Sequence, residues 1–418
     1  MPVTASEHIQ DSFARSLKGF DQGPLGLAVS GGGDSVAMLM MAAGWAKPRD
    51  VSLRVYTVDH GLRSEAADEA VFVALLCDRL GIPQLTLRWD GWSGSGNLSA
   101  KARDARYDLI AGAAVKDGVA SVLLAHTRDD QAETVLMALA RRSGVDGLSG
   151  MPVARDDRGV TWLRPLLGVT REDLRDYLRA SDQEWKDDPS NDDTGYERVR
   201  FRQAMADLGE LGLTQDVISD VAGNMQRVRE VLEHVTAEAL LAYAKPKAGA
   251  VRLDEALLNL PEETQRRVLS RCLGWVAPTA KPSRGDAVRR ALIGLSDGTD
   301  TALQGCLVQR KKTAIWVIRE PSAVAGTSCG IHQVWDGRWK VRGPDQGRDM
   351  HIGPLGEAGL ADHKNWRDSG YPRAVLLSSP AVWQHDCLIA APLLGYSPEW
   401  SAENVRSERD FHNDASGR

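Results

Sequence analysis

Six consecutive residues near the N-terminus, Ser30, Gly31, Gly32, Gly33, Asp34 and Ser35, have the composition of an anion cradle. They follow a short apolar run and precede a helix-like apolar stretch at residues 36–46. In such a strand, loop and helix arrangement, successive backbone N–H groups form a nest and the helix dipole adds partial positive charge, which makes phosphate the natural occupant. Glycine allows close backbone approach. No lysine follows the glycines, so this is not the G-x-x-x-x-G-K-[ST] loop, and three adjacent glycines cannot spell G-x-G-x-x-G. A carboxylate at Asp34 beside bound phosphates suits a Mg²⁺ ion lying between them. It would serve equally as a helix cap.

A second set of groups follows residue 125 in the spacing H-x-x-D-D-x-x-E: His126, Asp129, Asp130 and Glu133. A helix starting at Asp129 puts Asp130 and Glu133 on one face, where two carboxylates can hold Mg²⁺ or an ammonium group. The same spacing is close to a capping box. Arg103 and Arg106 stand three apart on a helical stretch, and Arg198, Arg200 and Arg202 alternate with Val199 and Phe201. On a strand the three arginines would share one face, whereas on a helix they would spread around it. Either form could touch phosphate, and a solvated charge run is the plain alternative.

These residues need elements to hold them. β-branched and apolar runs at residues 51–60, 84–89, 120–125 and 161–167 alternate with helical stretches at 64–80 and 97–114. With the run before Ser30 they predict an α/β domain: a five-stranded parallel sheet with helices on both faces. Ligands sit at the carboxyl ends of such strands, where Ser30 to Ser35, Asp59, His60 and the 126–133 segment all fall. This domain is expected over residues 1–215. A mainly helical domain over 216–325 is expected next, with a long helix at 216–243, Pro261 as the first residue of another helix, and a hairpin around Arg310, Lys311 and Lys312. A small α+β domain over 326–418 completes the chain, with an Asp336-Gly337 turn, short strands at 375–377 and 388–391, and a tail that frays from residue 399.

The 418 residues carry a formal net charge of -6, which disfavours bulk nucleic-acid affinity but not a local basic patch. The longest apolar runs fall short of a membrane span, and the polar N-terminal segment has no signal-like apolar region, so a cytoplasmic protein is expected. Five cysteines far apart in the sequence, Cys77, Cys272, Cys306, Cys329 and Cys387, make neither a disulfide framework nor a C-x-x-C site.

The six-residue loop resembles the S-G-G-x-D-S element of the PP-loop ATP pyrophosphatases. The order of further motifs is similar to tRNA(Ile)-lysidine synthetase: V-D-H-G-L-R from Val58, A-R-D-A-R-Y from Ala102, A-H-T-R-D-D-Q-A-E-T from Ala125, R-P-L-L from Arg164 and D-P-S-N-D-D from Asp188. The resemblance implies a ligase that uses ATP and Mg²⁺ to adenylate the wobble cytidine of the isoleucine tRNA with a CAU anticodon, then attaches free L-lysine and releases AMP and pyrophosphate. It implies that Ser30, Gly31, Gly32, Gly33, Asp34 and Ser35 hold the ATP phosphates, and that Val58, Asp59 and His60 hold the adenosine. Asp130 and Glu133 would bind lysine, Asp34, Arg106 and Asp130 would act in catalysis, and Arg198, Arg200 and Arg202 would contact tRNA. A homodimer is allowed and no membrane is involved. Two positions depart from the family pattern, Arg142 in place of glycine and Val199 in place of asparagine. The alternatives are a thiolase of the same fold, which needs paired cysteines, and a catalytically silent nucleotide- or RNA-binding module.

Overall fold

The computed structural model describes residues 5–61, 65–91, 98–187, 195–277, 282–311, 313–344 and 349–415. The chain divides into two compact units, Met1–Arg229 and Glu230–Arg418. The D-P-S-N-D-D segment, Lys312 and the last two residues of V-D-H-G-L-R lie outside the described residues.

The first unit runs α1 (Ala5–Ser16), β1 (Leu25–Ala28), α2 (Gly33–Ala46), β2 (Leu53–Asp59), α3 (Glu65–Leu80), β3 (Gln84–Arg88), α4 (Leu98–Lys116), β4 (Ser121–Leu123), α5 (Arg128–Ala140), α6 (Val145–Leu148), β5 (Ala154–Asp157), β6 (Val160–Leu163), α7 (Arg171–Ala180) and α8 (Glu197–Glu210). A long helix, α9 (Gln215–Tyr243), crosses the division. The sheet has six strands in the order β3-β2-β1-β4-β6-β5, not the five expected. Five are parallel, and β5 joins antiparallel to β6. Its residues Ala154, Arg155 and Asp156 are exposed, so no apolar alternation marked them as a strand. The hairpin forms because Arg158 and Gly159 both take positive φ, 57° and 82°, as a tight turn between twisted strands requires.

Alternation within the strands divides the core. Leu27, Val55, Leu123 and Leu163 face a cluster that includes Phe13 of α1, Met38 of α2, Val73 of α3 and Leu174 of α7. Tyr56, Val122 and Trp162 point to the other face, against Ile110 and Ala114 of α4. After β1 the chain winds outward through β2 and β3, then returns to place β4 on the opposite side of β1. The crevice between the carboxyl ends of β1 and β4 is therefore the switch point at which α/β sheets bind ligands.

In the second unit, β7 (Ala244–Lys247), β8 (Ala250–Asp254), β9 (Thr301–Leu303), β10 (Cys306–Lys311) and β11 (Ala314–Arg319) form an antiparallel sheet ordered β7-β8-β11-β10-β9. Two helices, α10 (Glu262–Val276) and α11 (Gly285–Ser296), share its core through Leu269, Leu273, Val288 and Leu292. The expected hairpin is present as β10 and β11, with Arg310 paired to Glu255 and Lys311 to Asp300. Pro261 is the N-cap of α10 and not its first helical residue. Residues 375–377 lie in a short helix, Arg373–Leu377, that begins directly after Pro372, which has no N–H to lose there. The tail does not fray at 399. Strand Ser401–Asn404 pairs with Trp339–Arg342 through backbone bonds that need no apolar side chains, and Phe411 is buried with its ring 5.5 Å from that of Trp275.

Candidate active site

The glycine loop sits where β1 ends. Ser35 Oγ accepts the Ser30 N–H at 3.2 Å and donates to the Gly32 carbonyl at 2.9 Å, which closes the loop on itself. Gly31 adopts φ of 92°, a conformation that a side chain would strain. Gly32 is the N-cap of α2 and supplies no side-chain cap, so the first-turn N–H groups are left for an anion. Trp185 walls the loop: a Cβ on Gly33 would lie 3.4 Å from its ring. The carboxyl end of β2 is next to this loop, with the Val29 N–H on the Tyr56 carbonyl at 3.0 Å. It brings half-buried Val58, Asp59 and His60 to the same edge, and the Asp59 carboxylate accepts the Gly61 N–H at 2.8 Å.

Across the switch point, α5 begins one residue earlier than the spacing suggested, with Thr127 as N-cap. Asp130 completes a capping box, its Oδ2 accepting the Thr127 N–H at 2.9 Å and the hydroxyl at 3.1 Å. The box is thus Thr127 with Asp130 and not the Asp130-x-x-Glu133 spacing, and the second oxygen of Asp130, Oδ1, accepts from Arg171 Nη2 at 3.1 Å. Glu133 is 1% exposed. Its Oε1 lies 2.8 Å from Arg202 Nε, and its Oε2 lies 3.0 Å from Arg198 Nε in an ion pair without hydrogen-bond geometry. Arg198 and Arg202 are one helical turn apart on α8, which explains why both reach one carboxylate. Between them Val199 turns inward and is buried, whereas Arg200 is exposed and donates to the Gly195 carbonyl. The three arginines are thus spread around the helix, Arg198 and Arg202 on one side and Arg200 on another.

One residue unmarked by its spacing connects the two halves. Arg171, the first residue of α7, directs Nε to Asp34 at 3.3 Å, Nη2 to Asp130 at 3.1 Å and Nη1 towards Glu133 at 3.7 Å. Its backbone N–H donates to Asp129 at 2.8 Å. A cation in the first turn of a helix opposes the helix dipole, and that misplaced charge was the available signal. Gln131 was also missed. Its amide clamps the Met151 backbone from both sides, at 2.7 and 3.0 Å, and fixes the S-G-M segment after α6.

The charges alter one another. Burial pushes the Asp34 carboxyl up to about 6, against the pull of Arg171 and with help from Asp130. Burial alone would raise Asp130 too, but Arg171, Arg198, His126 and the Thr127 N–H outweigh it and hold Asp130 below the usual carboxylate range. Burial brings His126 down to about 3, with Arg164, Arg103 and Arg198 adding to it in spite of Asp130, so its imidazole is neutral, and among the described residues its Nδ1 has no hydrogen-bond partner. Arg106 is half-buried in the same basic wall, where burial and Arg103 lower its pKa. Among the described residues no group of three His, Cys, Asp or Glu side chains could hold a metal ion. Asp34 on its own fits Mg²⁺, which is commonly held by one or two carboxylates together with substrate phosphates.

This geometry can cradle a triphosphate at one end and an amine at the other. A PP-loop domain family matches residues 5–208. The tRNA(Ile)-lysidine synthase of Ruegeria pomeroyi is 44% identical over 93% of this chain and 93% of its own length. That of a Bradyrhizobium species is 36% identical over 76% of this chain and 97% of its own. An uncapped glycine loop facing a charged carboxylate cluster, and likeness to such relatives over nearly their whole length, lead to one conclusion: the chain belongs to the tRNA(Ile)-lysidine synthase family.

Proposed function

We propose that the protein adenylates the wobble cytidine of the CAU-anticodon isoleucine tRNA and then attaches free L-lysine, in the cytoplasm. In the first step an oxygen on the cytosine ring attacks the α-phosphorus of ATP and pyrophosphate leaves. In the second, the neutral amine of lysine attacks the activated ring carbon, AMP departs with the oxygen, and the amine gives up a proton. The product carries one new carbon–nitrogen bond.

Backbone N–H groups of residues 30–35 would bind the phosphates, and Val58, Asp59 and His60 the adenosine. Bound at Asp34, Mg²⁺ would neutralise charge on the departing pyrophosphate. Arg106 would face the reacting centre, and Asp130, whose Oδ1 also accepts from Arg171, would bind the reacting amine of lysine. Glu133 supports this indirectly, since its carboxylate is engaged by guanidinia and sets Arg198 and Arg202 around the amine site. What supports the reading is the link from Asp34 to Asp130 through the single guanidinium of Arg171, which brings the glycine loop and the Asp130 carboxylate close together. Asp34→Ala tests it. AMP formation should fall at least a hundredfold while the protein stays folded, because no other carboxylate of the loop can replace it. AMP release at the wild-type rate would remove Asp34 from the mechanism.

A further inference from the structure

We infer that Arg171 is a positioning residue that makes lysine bind with its reacting amine uncharged. This rests on the functional reading above, and it assigns a role to a side chain that the phosphate and lysine assignments leave without one. An alkylammonium ordinarily loses its proton near pH 10.4, so at neutral pH nearly all free lysine lacks the lone pair it needs to attack. A site built of carboxylates alone would aggravate this, because opposite charge favours the protonated amine. Four carboxylates converge here: Asp34 from α2, and Asp129, Asp130 and Glu133 from α5.

The remedy lies in the guanidinia between them. Arg198 and Arg202 of α8 are paired with Glu133, and Arg103 and Arg164 bear on neutral His126. Arg171 alone among the described residues has an ion pair with Asp130, with Nη2 at 3.1 Å, and it also occupies Asp34 and faces Glu133. Its charge is permanent, since a guanidinium keeps its proton. An amine entering beside Asp130 therefore meets a fixed positive charge on the carboxylate that would otherwise hold it as ammonium. A neighbouring cation depresses an amine pKa, the means by which lysine nucleophiles are activated elsewhere. Asp130 stays oriented by Thr127 and Glu133 by Arg198 and Arg202, so Arg171 is not needed to hold either carboxylate in place.

Proton release on binding separates this role from a structural one. L-lysine is titrated calorimetrically into the full-length enzyme with tRNA and a non-hydrolysable ATP analogue, in buffers of different ionisation enthalpy. Wild type should release about one proton per lysine bound at pH 7, because an amine that is protonated in solution is bound neutral. Arg171→Gln should bind lysine at least as tightly with little proton release, and the acid limb of its lysine-transfer rate should move up by about one pH unit or more. Arg171→Lys, which keeps the charge, should release the proton as wild type does. Equal proton release by wild type and Arg171→Gln, or lysine binding by wild type with none, overturns the inference. Should Arg171→Gln fail to fold, proton release by Arg171→Lys matching wild type supports it and loss of release overturns it. A wild-type enzyme that neither binds lysine nor transfers it to tRNA defeats the functional reading itself.

Discussion

Arg142 takes φ of 55° directly after the C-terminus of α5. Its N–H bonds the Leu139 carbonyl and the Ser143 N–H bonds the Ala138 carbonyl, both at 2.9 Å, the paired closure that a left-handed residue makes possible. Glycine would adopt this conformation without a Cβ clash, so the family pattern and the backbone ask for the same thing, and arginine meets it with strain. Arg142→Gly should raise unfolding free energy by about 0.5–1 kcal/mol, the relief of strain less the extra freedom glycine has in the unfolded chain, as read by urea denaturation. Asp34 presents the opposite trade. With its carboxyl at about 6 in the folded protein against an ordinary 3.8, the native state binds more protons than the unfolded chain between these values. Its ionisation therefore lowers stability as pH rises through that window, and the loss is complete above it. Asp34→Asn should raise the melting temperature at pH 7 and flatten the stability profile between about pH 4 and 6. A melting temperature below wild type at pH 7 would contradict this.

At the scale of elements, α8 is held to α5 by Glu133, whose burial leaves no water to replace a lost partner. Glu133→Gln keeps the shape but leaves two guanidinia uncompensated, and should cost about 3–5 kcal/mol in denaturant unfolding, with faster hydrogen exchange in α8. Unchanged stability would mean that the carboxylate is reserved for a ligand. Strands β1 to β4 and β6 and helices α2 to α5 were readable because their apolar residues follow periods of two and near four and their motifs lie at strand ends, whereas α1 and α6 were not read and the segment of α8 was left open between strand and helix. The edge strand β5 was not, because Arg155 and Asp156 are exposed and its pairing resides in the backbone. Strand β7, with Lys245, Pro246 and Lys247, likewise carries no apolar alternation and is held by its pairing with β8. The loop residues 30–35 and the 126–133 segment were legible from spacing. Arg171 was not, since its partners lie 137, 41 and 38 residues away along the chain, and its misplaced charge in the first turn of α7 marks the residue without naming them.

For the molecule as a whole, a net charge of -6 means that tRNA must be held by local basic surface. Arg198 and Arg202 are directed to Glu133, so removing their charge should affect stability more than salt dependence, whereas exposed Arg200 can meet phosphate. Arg200→Gln should flatten the dependence of log affinity on log salt by about 0.7, the value for one single-stranded phosphate contact, and Arg202→Gln should leave the slope unchanged. Sulfur chemistry finds no support in the cysteines. Cys77, Cys272 and Cys306 are buried, and burial raises all three thiols, that of Cys306 to about 12, far from the reactive thiolate a sulfur carrier needs. No helix among the described residues is long and apolar enough to cross a membrane. The most direct test of the account is to incubate the enzyme with ATP, radiolabelled lysine and isoleucine tRNA transcripts that differ only in the anticodon. Label should enter the CAU transcript alone, with AMP and pyrophosphate formed in equal amount. Label in every transcript, or AMP formed from the CAU transcript with no lysine attached, would contradict it.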